Sequence, residues 1–280
     1  MRALVFVSLL IVFSAESSTK PRLNYYPTKF RKILKSDRLK NRDIIKALKL
    51  VISSGHIHQD NKPDLLVENC SEQQNKKCII QKELSYTEAR KYLFGLLHLK
   101  KDGQGNYLED VYCRKTYTSG VGPGRIPNHQ VVNCEHTWPQ SRFSGSHRKR
   151  LQKGDLHHLY PTDSRANSTR GNHKFAEVLG DDATSDCSAS QFGIHSRTKK
   201  SSYYEPPREH RGNVARALFY FATRYDLRIS DEEEFFLRKW HKEDPVDAEE
   251  MKRNNMIEKI QGNRNPYIDL PKIVDQINNF

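Results

Sequence analysis

Between residues 38 and 53, apolar side chains recur at Leu39, Ile44, Ile45, Leu48, Val51 and Ile52, with charged residues between them. That spacing lays them along one stripe of an α-helix, and Gly55 supplies its end. The following "GHIHQDNKPD" carries no such period and reads as loop. A second helix is expected in "SYTEARKYLFGLL" from Ser85, where a Ser/Thr cap precedes Ala89, Tyr92, Leu93 and Leu96 at helical spacing. "GNVARALFYFATRY", Gly212 to Tyr225, is apolar nearly all round and predicts a buried core helix. "DEEEFFLRKWHKEDP" runs from acidic to basic, the sense that suits a helix dipole. "DAEEMKRNNMIEKIQGNRNPYIDLP" predicts one more helix, stopped by Gly262 and Pro266.

The middle of the chain breaks this pattern. From Asp110 to about Ser202, short apolar pieces such as "VVN" and "DLHHLY" stand between Gly, Pro, Asn and Ser. They predict short strands and long loops bearing polar groups, where function usually sits. The fold class expected is α+β: a mostly helical domain with helices at both ends of a small irregular β-centre. Residues 18–35, basic and aromatic with prolines, read as an extended lead-in.

At the start, Arg2 precedes an apolar run from Leu4 to Phe13, too short for a bilayer span, and small residues follow around Ala15. Residues 1–17 are expected to be a signal peptide, leaving residues 18–280 as a single exported domain with no membrane attachment. An oxidising compartment makes the cysteines disulfide candidates. Cys70 and Cys78 would close a short local loop, Cys113 and Cys134 could tie the ends of a Gly/Pro-rich loop, and Cys187 would be left over. Sequence alone does not fix that pairing. With 47 Lys+Arg against 34 Asp+Glu, the net charge is +13, spread along the chain. A folded surface this basic attracts polyanions: nucleic acid, anionic wall polymers or a membrane surface.

Potential acids, bases and ligands crowd two runs, "NCEHTWPQSRF" (Asn133 to Phe143) and "DLHHLYPTDSRANSTRGN" (Asp155 to Asn172). A structural zinc site wants paired Cys/His at short fixed spacings. Cys134-x-His136 has the wrong spacing, and neither C-x-x-C nor H-E-x-x-H occurs here. Phosphodiester hydrolysis fits better. It needs a base for water, a cation at the developing charge, and neutralisation of the rest. His136 suits the base, since imidazole titrates near neutral pH. A hard cation such as Mg²⁺ takes oxygen ligands and keeps several waters, so Glu135 and Asn167 can suffice. On a regular strand Glu135 and His136 would face opposite ways, so the chain must bend there. The second run reads as a short strand ended by Tyr160-Pro161. A helix capped by Thr162 or Asp163 follows it and stops at Gly171.

Together the two runs resemble the signature blocks of the endonuclease I family of exported bacterial nucleases, within the ββα-metal (His-Me finger) group. The resemblance extends over roughly residues 38–275, through "SYTEARKYLF", "DVYC" and "GNVARALFYFATRY". It implies a ββα-metal core at about residues 130–175. It places Glu135 at the metal-binding carboxylate, His136 at the general base and Asn167 at the second metal ligand. It further implies one divalent ion, usually Mg²⁺, with Mn²⁺ or Ca²⁺ able to take its place in binding. The expected partner is nucleic acid, DNA and also RNA, held by its phosphate backbone and cut without sequence preference to leave 5′-phosphate ends. An arginine near the phosphate is expected; Arg142 is the first candidate, with Arg148 and Arg150 behind it. His157 or His158, Arg170 and Asn172 are expected in bracing roles, and Trp138 in the core. The expectation is a monomer, secreted or periplasmic. The rival reading is a basic nucleic-acid-binding protein without catalysis.

Overall fold

A computed structural model describes residues 19–34, 41–71 and 77–280. The expected signal segment 1–17 and Leu39 lie outside the described residues. The architecture is α+β, with helices interleaved with small antiparallel sheets of two or three strands.

The helix Asn41–Ser53 buries Ile44, Leu48, Val51 and Ile52, the stripe its period predicts. Two expectations nearby change. The stretch after Gly55 is a hairpin, with strand Gly55–Gln59 paired to Lys62–Val67. Asn61, at φ 57°, makes the tight turn that polarity alone had suggested was loop. The lead-in is partly helical at Thr28–Leu34, because Tyr25, Tyr26 and Phe30 bury against the core. Ser85 caps Tyr86–Tyr92 with Glu88 in a reciprocal capping box.

The helix Arg211–Tyr225 is buried along nearly its whole length. It packs against Asn41–Ser53 and Asp231–Glu243 and forms the middle of the larger apolar cluster. A smaller cluster gathers Leu84, Leu93, Phe94, Val132, Cys134, Leu156, Leu159 and Ile257. The strands Val132–His136 and Leu159–Asp163 run antiparallel over this second cluster, in register from Val132 opposite Asp163 to His136 opposite Leu159.

The disulfides pair Cys70 with Cys78 and Cys113 with Cys187. The expected Cys113–Cys134 tie is therefore corrected. Cys134 is a buried free thiol within the smaller cluster, whereas Cys113 and Cys187 meet at the larger one. Strand alternation turns Cys134 inward, away from any partner.

Candidate active site

Two strands and a helix position the chemistry. Leu159–Asp163 includes Pro161, which sequence reasoning had placed at the strand's end. The Pro161 carbonyl accepts from the Val111 N–H on the side away from the partner strand. The missing Pro N–H points the same way, so the ladder to Val132–His136 loses nothing. Asp163 then caps the helix Ser164–Arg170, its Oδ1 accepting from the Arg165 and Ala166 N–H groups. Gly171, at φ 50°, ends that helix in a conformation that disfavours a side chain.

Val132–His136 ends at its two polar residues, and the chain bends at Thr137 and Trp138. From that end Glu135 and His136 both line one polar cavity of about 500 Å³. Asn167, Arg170 and Asn172 line it from the helix and its exit, and Tyr86, Asn133, Gln140 and Ser141 are among its other walls.

Glu135 is 2% exposed. Its Oε1 accepts from the Tyr112 hydroxyl at 2.8 Å and pairs with Arg170 Nη1 at 2.8 Å. Burial pushes the Glu135 carboxyl above its usual range, while Arg170 and Tyr112 pull it back. Arg170 also donates to the carbonyls of His136 and Thr137, and its guanidinium lies 4.6 Å from the Phe175 ring centroid. One buried arginine thus fixes both the carboxylate and the bend that follows.

His136 Nε2 lies 3.2 Å from the Lys153 carbonyl, which can only accept. Nε2 therefore carries the proton, and Nδ1 keeps a lone pair. Nδ1 faces the Gln140 amide at 3.4 Å. Burial, and next the neighbouring His158, hold the imidazole well below its ordinary range. At neutral pH the group is an uncharged base with a fixed tautomer.

The other expected residues are dispersed. His157 and His158 lie in the 3₁₀ turn Leu156–His158, not on a strand. Their Nε2 atoms donate to the carbonyls of Asn263 and Gln152, so both sit inside the fold and neither lines the cavity, with the His158 ring 5.3 Å behind that of His136. Trp138 is core, stacked on Phe221 and donating to the Arg142 carbonyl. Arg142 does not line the cavity; its Nη1 is 3.6 Å from Glu233, and its guanidinium lies over Trp138. Arg148 and Arg150 are exposed and pair with Glu83. Sequence reasoning missed Tyr112 and the Lys153 carbonyl. Tyr112 had only its place beside Cys113 in "DVYC" to mark it, and a carbonyl leaves no sequence signal.

The oxygen donors at the cavity include the Glu135 carboxylate and the side-chain amides of Asn133, Gln140, Asn167 and Asn172. Tyr112 and Arg170 both meet Glu135 at Oε1, and the His136 backbone N–H also donates to the carboxylate. Its second oxygen and the Asn167 amide oxygen are hard donors of the kind a largely hydrated Mg²⁺-like ion accepts. Among the described residues no three His, Cys, Asp or Glu side chains gather as a metal cage. A zinc-type centre needs such a cage.

Comparison with known proteins matches a family model described as Endonuclease I over residues 73–272. The "Extracellular ribonuclease" of Bacillus subtilis (strain 168) is 36% identical over 193 residues, 60% of this chain and 60% of that protein. The "Extracellular ribonuclease" of Bacillus amyloliquefaciens is 37% identical over 164 residues, 52% of this chain and 53% of that protein. The "Periplasmic deoxyribonuclease" of Aeromonas hydrophila is 32% identical over 120 residues, 42% of this chain and 48% of that protein. The match spans 48% to 60% of these relatives' lengths.

Proposed function

The chain belongs to the endonuclease I family, and from that premise we propose a secreted or periplasmic endonuclease that hydrolyses phosphodiester bonds of DNA and RNA. It works as a monomer, with one divalent cation and a ββα-metal core. The observation that carries this reading is the meeting, in one cavity, of a neutral His136 with an unprotonated Nδ1, the buried Glu135 and the Asn167 amide.

Glu135 and Asn167 would hold the cation. When bound, it supplies positive charge against the negative charge that builds on the phosphate oxygens and the leaving oxygen. His136 Nδ1 takes a proton from water as the water oxygen bonds to phosphorus. The bond from phosphorus to O3′ breaks with its electron pair, and O3′ is protonated from solvent. The products are a 5′-phosphate and a 3′-hydroxyl. The Lys153 carbonyl keeps His136 in the required tautomer and stabilises the imidazolium that forms. Arg170 and Tyr112 hold the carboxylate ionised and oriented despite its burial. The net charge of +13 attracts the phosphate backbone of any sequence and predicts inhibition by salt.

Degradation of plasmid and RNA by wild type and His136→Ala, with Mg²⁺ and with EDTA, tests this reading. Loss of cleavage with retained binding in His136→Ala supports it. A wild-type protein that binds nucleic acid at low salt and never cuts it supports the non-catalytic rival.

A further inference from the structure

The cations that sequence nominated for the phosphate are already engaged: Arg142 with Glu233, Arg148 and Arg150 with Glu83. Two others, gathered on the Tyr86 ring at the cavity wall, are not. Lys153 Nζ lies 4.4 Å from the centroid of the Tyr86 ring, and Arg90 Cζ lies 5.4 Å from the same centroid. That ring lines the cavity, 5.5 Å from the His136 imidazole. Among the described residues neither cation has a carboxylate partner, and the buried Arg90 Nε has no hydrogen bond.

The fold brings these three side chains together from two segments. Tyr86 and Arg90 sit one turn apart on the helix Tyr86–Tyr92, and so share a face. Lys153 ends the helix Lys149–Lys153, where its carbonyl already fixes His136. The segments meet at Gly154, where a Cβ would come 2.3 Å from the Leu84 carbonyl. Two like charges gathered on one ring without an acid repel each other and raise the local potential. An anion relieves that strain, and the ring face fixes where the cations wait for it.

We propose that Lys153 and Arg90, held on Tyr86, form a phosphate subsite for the nucleotide next to the scissile bond. This rests on the nuclease reading for the identity of its ligand, a nucleic-acid strand. The subsite sets substrate position through backbone charge, so it acts equally on every sequence.

The test is binding of a fluorescein-labelled single-stranded oligodeoxynucleotide to the His136→Ala protein in EDTA, over a series of NaCl concentrations. Lys153→Met and Arg90→Met should each lower the slope of log K against log salt by about 0.7, the value for one phosphate contact on a single strand. Tyr86→Leu should weaken binding while leaving net charge unchanged, and Lys153→Arg should restore the slope. In the otherwise wild-type enzyme the same methionine variants should raise KM several-fold and leave kcat within about twofold. Arg148→Met, whose arginine pairs with Glu83, should change the slope less. Unaltered thermal midpoints establish that the variants fold. Unchanged slopes in folded Lys153→Met and Arg90→Met, with wild type cleaving normally, overturn the subsite alone. Lowered slopes with no wild-type cleavage keep the subsite and overturn the nuclease.

Discussion

Among the described residues Arg170 is the cation paired with Glu135, and Arg170→Met removes it. Methionine keeps most of the volume, so the loss is electrostatic rather than a cavity. Arg170 is 1% exposed and Glu135 2%, so solvent screens their contact little. Leaving one partner of such a pair buried and unpaired costs about 3–5 kcal/mol. The His136 and Thr137 carbonyls lose their donor as well. Each loss is worth about 1–3 kcal/mol, and they overlap with the first because the groups share one guanidinium. A total of about 4–6 kcal/mol is expected at pH 8, a large share of the roughly 5–15 kcal/mol that stabilises a typical domain.

The carboxyl can escape part of this by taking up a proton. Burial already raises Glu135, and removing Arg170 raises it further. Between the already raised native pKa of Glu135 in wild type and the higher one in the variant, the variant's native state holds more protons than the wild type's. Stability of the variant relative to wild type therefore falls as pH rises through that window, by about 1.4 kcal/mol per pH unit. Urea unfolding of both proteins at pH 5, 6, 7 and 8 in EDTA measures this directly. Glu135→Gln in the variant background should recover much of the loss at pH 8. A destabilisation below about 1 kcal/mol, or one that is flat with pH, would refute the assignment of Arg170 as the counter-charge of Glu135.

Other consequences are simpler to read. Burial drags His157, His158 and His241 down to about 4 and His210 to about 3. Each is protonated in the unfolded chain below about pH 6.5 but stays neutral in the fold, so stability is full above that pH and falls towards pH 4. The slope is up to about 1.4 kcal/mol per pH unit for each histidine, offset in part by burial-raised carboxyls such as Glu250. A flat stability curve from pH 7 to 5 by urea titration would contradict it. Denatured but unreduced protein should take up one iodoacetamide, at Cys134, and peptide mapping should link Cys113 to Cys187. Cys113→Ser should cost about 2–5 kcal/mol of stability, while Cys134→Ala should leave both disulfides in place; a Cys113–Cys134 peptide would refute the pairing.

The parts of this structure that were legible in the sequence are those with a local signature. The Asn41–Ser53 stripe, the Ser85 cap and the apolar Arg211–Tyr225 helix follow from periodicity and capping, which need no partner to be seen. Glu135, His136 and Asn167 were nominated from residue type and order, and the fold brings all three to one cavity. What was not legible depends on distant segments meeting. Tyr112 reaches Glu135 across 23 positions, and the Lys153 carbonyl reaches His136 across 17. The cysteine pairing failed for the same reason, since the chain between Cys113 and Cys134 suggested closure, while burial turned Cys134 the other way. Arg142 lay in the right run, but its side chain turns to Glu233, a residue no local pattern connects with it. Pro161 and the histidine pair misled because a ladder's open edge and a 3₁₀ turn are decided by neighbours rather than by the dipeptide itself.

The central claim is that His136 deprotonates water at a site whose oxygen ligands hold a divalent cation. Cleavage of a 5′-labelled oligonucleotide by wild type and His136→Ala, in Mg²⁺ and in EDTA, with the product ends identified, tests it most directly. Wild type should cut in Mg²⁺ to give 5′-phosphate and 3′-hydroxyl ends and should stop in EDTA, while His136→Ala binds normally and cuts at least about 100-fold more slowly. Cleavage by His136→Ala at the wild-type rate, or wild-type cleavage that persists in EDTA, would contradict it.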